Sequence, residues 1–168
     1  VAKSISEGLA RKVISASFKK EVYEIESELH SDGSIKFYTW EDDEGKQAFW
    51  HSSAHILAQT IKFFYPKCKL TIGPSIENGF YYDVDFDGDT ISEKDFNKIE
   101  VKFLEFARLN SHFMKKSISK KDALDFYKKE SNQYKIELID TLDDETITFC
   151  DHSDFSDLCK GGHIPSTG

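Results

Sequence analysis

The stretch Glu44-Gly-Lys-Gln-Ala-Phe-Trp-His-Ser-Ser-Ala-His-Ile-Leu-Ala-Gln-Thr-Ile-Lys-Phe-Phe-Tyr65 organises the chain. It follows an acidic run, Glu41-Asp42-Asp43-Glu44, whose charges suit the positive end of a helix. Pro66 stops it by withdrawing a backbone donor. Between these ends, Ala48, Ile56, Leu57, Ile61 and Phe64 supply the apolar positions of a long helix. His51 and His55 lie four apart in it and so project from one face, a turn apart. A second pair, Cys159-Lys-Gly-Gly-His163, follows about a hundred residues later, where glycines let the backbone turn sharply. Two histidines, a cysteine and a third histidine can ligate zinc or do acid–base work at a water.

On the N-terminal side, residues 1–12 read as a short helical stretch. Residues 13–18 and 22–25 read as strands joined by the polar turn Lys19-Lys20-Glu21. Asp32-Gly33-Ser34 marks a turn before the alternating strand 35–40. This unit ends near Asp43, where the long helix opens a second one.

On the C-terminal side, residues 69–74 read as a strand running into a turn, and Asn78-Gly79 as a second turn. Residues 80–86 alternate strongly and predict one strand. Thr90 and Glu93 have capping-box spacing, and Phe96, Ile99, Phe103 and Phe106 give the following helix its apolar face. A strand over 112–119, a basic helix over 120–129, a strand over 146–150 and a run at 155–159 complete the pattern. The segment 133–142, with Lys135, has no clear assignment. Strands and helices come in separate runs, so the expected class is α+β with an antiparallel sheet.

Composition narrows the function. The 168 residues are 14% aromatic, which argues for a packed core. A formal charge of −8 argues against a free-standing nucleic-acid binder. The cluster Lys115, Lys116, Lys120, Lys121, Lys128 and Lys129 can still meet phosphates, or serve only as a solvated face. Three cysteines are too few for a disulfide framework and point to a reducing, cytoplasmic setting. No apolar run reaches the roughly 20 residues that span a bilayer, so no membrane partner is expected.

A lone H-x-x-x-H pair carries little meaning, and Ser52 rules out the H-E-x-x-H of a zinc protease. With Cys159 and His163 added, three hydrolytic routes stay open: a zinc-activated water, a cysteine nucleophile with a histidine base, or a metal-free site that positions water.

The combination of His51-x-x-x-His55, Asn78-Gly-Phe-Tyr-Tyr-Asp83 after Ile72-Gly-Pro74, Tyr134-Lys135 and Asp157-Leu-Cys159-x-Gly-x-His163 resembles the N-terminal editing domain of bacterial-type threonyl-tRNA synthetase. The stretch from Gly8 to Gly45 resembles the rear of that enzyme's ubiquitin-like TGS domain. The resemblance implies a partial TGS domain over 1–43 and an editing domain over 44–168, truncated at its C-terminal end.

It also implies an activity: hydrolysis of the ester in seryl-tRNA made in error, within a parent enzyme that ligates threonine to tRNA using ATP. The physical need is plain, because one methyl is worth only about 1–3 kcal/mol of discrimination. The implied catalytic set is His51, His55, Lys135, Asp157, Cys159 and His163, with Tyr82 at the substrate. His51 leads as base or water-positioner, and Lys135 orients water or stabilises charge. Cys159 positions and hydrogen-bonds, Asp157 holds a neighbouring donor, and His55 and His163 shape the pocket. No metal is implied in this region, with zinc on His51, His55, Cys159 and His163 as the alternative. ATP and zinc belong to the absent aminoacylation domain. The implied partners are the serine-bearing acceptor end of tRNA and the rest of a synthetase chain, homodimeric through absent domains. Two rivals remain: a non-catalytic module that docks tRNA or another domain, and a zinc-dependent alanyl-type editing hydrolase.

Overall fold

Strand β1 (Ser15–Phe18) is the centre of the first sheet, pairing antiparallel with β2 (Glu21–Tyr23) on one side and β3 (Ile35–Tyr38) on the other. The computed structural model describes all of residues 1–168. Two one-turn helices precede the sheet, α1 (Ala2–Ile5) and α2 (Glu7–Ala10), the second capped by Ser6, whose hydroxyl accepts the Leu9 N–H at 3.0 Å. Lys19 and Lys20 make the β1–β2 turn with φ of 53° and 70°. Both central residues are left-handed, as a tight hairpin that keeps the strand twist requires. The predicted strands are present here, each shorter than expected.

Helix α3 (Asp43–Phe64) is the predicted long helix. It packs on a second antiparallel sheet of order β10-β9-β8, formed by β8 (Met114–Ser119), β9 (Thr146–His152) and β10 (Phe155–Leu158). Successive side chains of β9 point to opposite faces. Ile147 and Phe149 pack with Ala123, Tyr127 and Ile139 of helices α5 (Lys120–Lys129) and α6 (Gln133–Asp140). Cys150 packs with Ile56 of α3, Phe113 and Cys159. The unassigned segment 133–142 is therefore helix α6, whose N-cap Asn132 accepts the Lys135 N–H and donates to the Leu70 carbonyl at 2.8 Å.

Two sequence expectations need correction. The alternating run 80–86 is not one strand but two short ones, β6 (Gly79–Phe80) and β7 (Val84–Asp85). They pair with β5 (Ser75–Ile76) and β4 (Lys69–Leu70) respectively. The break falls opposite Gly73-Pro74, where proline has no N–H for the ladder, and Tyr82 lies against Gly73. The cap of helix α4 (Glu93–Arg108) is Ser92 with Asp95, not Thr90 with Glu93: the Asp95 carboxylate accepts the Ser92 N–H at 2.9 Å. On α4, Ile99 joins the core with Ala58, Ile61, Cys68, Leu70 and Phe155, while Phe96 is exposed. No helix is long and apolar enough to cross a membrane.

Candidate functional site

Helix α3 presents His51 and His55 to the loop that follows β10. The Nε2 atom of His51 lies 3.1 Å from Nε2 of His55 and 3.0 Å from Sγ of Cys159. Sγ of Cys159 lies 3.3 Å from Nε2 of His163. The four ligand atoms all fall within 4.8 Å of one another. Two motifs a hundred residues apart thus form one cluster.

Local bonds hold the loop in place. The Cys159 N–H donates to the Thr148 carbonyl at 3.0 Å, and the Thr148 hydroxyl donates to the Cys159 carbonyl at 2.6 Å. Ser52, one residue after His51, accepts the Ile164 N–H at 3.0 Å. Gly161 and Gly162 take φ of 99° and 91°, values that favour glycine and let the chain double back to His163.

Beside this cluster sits a buried polar group centred on Asp157. Its carboxylate accepts Tyr82 Oη–H at 2.5 Å and Tyr127 Oη–H at 2.9 Å, and pairs with Lys135 Nζ at 2.8 Å. Lys135 is 2% exposed, so it is no solvated surface lysine. Tyr82 is fixed by this bond to Asp157, an arrangement the alternating sequence around it did not reveal.

Both groups open on a cleft of about 720 Å³. His51, His55, Tyr82, Lys135, Asp157 and Cys159 border it. His163 does not: it is 0% exposed and lies behind Cys159, stacked on Phe113 at 5.0 Å between ring centroids.

Burial sets the charge states. Desolvation keeps the buried His55 ring below the usual imidazole range. Burial alone would raise the Asp157 carboxyl, but the Lys135 charge and the hydrogen bonds from Lys135 and Tyr82 hold it below the usual range. Burial would also raise the Cys159 thiol, yet hydrogen bonds from His163, His51 and His55 draw it well below the ordinary thiol value. His163 is pushed up to about 12: bonds to Cys150, Cys159 and Glu24 outweigh its desolvation.

The donor types also suit a metal. Tetrahedral zinc with bonds of about 2.0–2.3 Å needs ligand atoms roughly 3.3–3.8 Å apart; the Cys159–His163 contact reaches that range at 3.3 Å, while the two contacts of His51 fall short of it at 3.0 and 3.1 Å.

Comparison with known proteins places the sequence. Threonine–tRNA ligase of Flavobacterium psychrophilum is 57% identical over 168 residues, covering 100% of this chain and 26% of that protein. The same ligase of Clostridioides difficile is 47% identical over 168 residues, covering 99% of this chain and 26% of the relative. Along its whole length, the chain is similar to the N-terminal part of bacterial threonine–tRNA ligases. It spans about a quarter of the length of the relatives it matches. No protein-family model matches it.

Sequence reasoning missed three residues around the site. Tyr127 lies on a helix with no motif around it, and only its bond to Asp157 reveals it. His152, 2% exposed, sits with its ring 6.3 Å from that of His55. Glu24 belongs to the first unit and meets the loop across 139 positions of sequence. Contacts that distant leave no local pattern.

Proposed function

We propose that this chain carries the editing site of a threonine–tRNA ligase, hydrolysing the ester of seryl-tRNA formed in error. The supporting observation is the cleft itself, which His51 and Cys159 border together with Lys135, Asp157 and Tyr82. An ester needs an oriented water, a proton acceptor and positive or donor groups near the developing oxyanion. Both kinds of group border the cleft. His55, kept neutral by burial, adds no positive charge beside His51, which takes the proton from water. Lys135, held rigid by Asp157, supplies the fixed positive charge. The reading includes a ubiquitin-like TGS unit over 1–43 and an editing domain over 44–168. It also takes the acceptor end of tRNA as partner.

A second reading has support from the donor types gathered in the cluster. His51, His55, Cys159 and His163 would hold zinc, which activates bound water in open sites. Four protein ligands fill a tetrahedron, however, and one would have to leave before water could bind. That favours direct assistance by His51.

The test is deacylation of seryl- and threonyl-tRNA by the full-length protein, with and without a chelator. Rapid loss of serine, slow loss of threonine and indifference to the chelator are expected, because the extra methyl is excluded by size. Equal rates would overturn the sieve. Loss of activity with the chelator, restored by zinc, would transfer the site to the metal reading.

A further inference from the structure

We propose that Glu24, which follows strand β2 of the first sheet, is a positioning residue for the cleft, acting on His51 through His163 and Cys159. The inference rests on the reading of the cleft as a deacylase site.

Glu24 never reaches the cleft, yet its side chain is only 9% exposed and makes three contacts with one short loop. Oε1 accepts the Gly162 N–H at 3.0 Å and the His163 Nδ1–H at 3.0 Å, while Oε2 accepts the His163 N–H at 3.2 Å. Successive N–H groups turned toward one point form a concave anion site, and the left-handed glycines make it here. A Cβ on Gly161 would stand 2.9 Å from Oε1 of Glu24, and one on Gly162 would stand 3.1 Å from Val22. The loop and the strand segment from Val22 to Glu24 are therefore fitted to each other at van der Waals distance.

The chemical consequence concerns the orientation of one ring. With a carboxylate at Nδ1, that nitrogen carries hydrogen whether the ring is neutral or cationic. Nε2 then faces Sγ of Cys159 at 3.3 Å, and Sγ faces Nε2 of His51 at 3.0 Å. Glu24, His163, Cys159 and His51 form a continuous chain of contacts. The only other polar neighbour of Nδ1 is the Cys150 thiol, at 3.5 Å. Without Glu24, the His163 ring and the two N–H groups of its loop lose their anchor, and the contact of Nε2 with Sγ of Cys159 is no longer held. Cys159 then leaves its place 3.0 Å from Nε2 of His51, and the ring that must take a proton from water loses its setting. The first sheet thus belongs functionally to the second unit.

The test compares full-length wild type with Glu24→Ala, Glu24→Gln and His163→Ala, each alone and with the Glu24 changes placed in the His163→Ala background. Kinetics of seryl-tRNA deacylation are read together with the ¹⁵N spectrum of labelled histidine, which separates ring tautomers. Glu24→Ala should lower kcat about 10–100-fold and leave KM within about twofold. Glu24→Gln should fall between, since its amide oxygen still accepts from Nδ1. Neither change should lower activity further in the His163→Ala background. The His163 Nδ1 signal should carry the mark of a hydrogen-bonded N–H in wild type and lose it in Glu24→Ala.

Unchanged kcat, a rise in KM alone, or a full further loss in the His163→Ala background would overturn the proposal. So would a His163 spectrum indifferent to Glu24. If Glu24→Ala does not fold, the same comparisons are made with Glu24→Gln. If wild type fails to hydrolyse seryl-tRNA, the editing assignment falls, and with it the proposed action on His51. An Nδ1 signal that still responds to Glu24 would then leave only the contact with His163.

Discussion

Lys135 and Asp157 meet with Nζ 2.8 Å from Oδ1 while their side chains are 3% and 4% exposed. A buried pair of this kind is weak evidence for stability as a pair, because both charges were taken out of water. Breaking it is another matter.

Lys135→Ala leaves the Asp157 carboxylate buried with only the two tyrosine hydroxyls and its neighbouring N–H. The expected cost is about 3–5 kcal/mol in urea unfolding. Replacing both members by apolar residues, as Lys135→Met with Asp157→Leu, should cost less than the sum of the two single changes. Strict additivity would show that the pair is not coupled as its geometry requires.

Acid should weaken the fold through its buried histidines. His152 is held down to about 4, by burial first and then by the charges of His55 and His163. An unfolded histidine titrates near 6.5. Between these values the unfolded chain binds the proton and the folded chain does not, so stability falls as pH drops from about 6.5 towards 4. The single site accounts for at most about 3 kcal/mol. His55, also lowered by burial, works in the same direction. His152→Phe should flatten the loss measured by urea unfolding at pH 7 and pH 4.5; an equally steep loss in the variant would sink this account.

The parts of the fold legible in the sequence were those with local signals. The helix ended by Pro66, the Lys19-Lys20 turn and the strands around residue 150 all announce themselves within a few residues. The strand expected over 80–86 failed because its partner contains Pro74, and a strand cannot outlast its ladder. At the site, paired motifs were enough to nominate His51, His55, Cys159 and His163. They could not say that His163 stands behind the cleft or that Lys135 is buried, because both facts depend on which elements pack together. Glu24 and Tyr127 were invisible for the same reason.

Gly73 is required by Tyr82. A Cβ at this position would stand 2.2 Å from Cδ2 of the Tyr82 ring. The ring cannot simply swing away, because its hydroxyl is tied to Asp157 at 2.5 Å. Gly73→Ala should destabilise by about 1–3 kcal/mol, the usual cost of overpacking. It should also lower deacylation by moving Tyr82 off Asp157. Gly79→Ala makes a useful contrast, since nothing lies within 4 Å of its Cβ and its cost comes only from the backbone at φ 151°. Retained activity in Gly73→Ala would show that Tyr82 need not keep its place.

The chemistry divides most clearly at Cys159. If His51 assists a water directly, His51→Ala in the full-length protein should reduce seryl-tRNA hydrolysis by about 10²–10⁴-fold, the usual reach of general acid–base assistance. Cys159 has two roles open to it in that cleft. Its thiol is drawn well below the ordinary value, against the effect of burial, by the bonds of three histidines, so its charge suits a nucleophile. Its sulfur, however, is already engaged by His51 at 3.0 Å and His163 at 3.3 Å, and by the Gly161 N–H at 3.3 Å. A sulfur held by that many partners is placed to orient its neighbours, and an ester this labile does not require a covalent intermediate. Cys159→Ser should therefore retain more activity than Cys159→Ala, because a hydroxyl keeps part of the hydrogen bonding. A quenched reaction of wild type with seryl-tRNA should give an unmodified protein mass. A seryl adduct that disappears in Cys159→Ala would make the thiol the nucleophile and reduce His51 to its base.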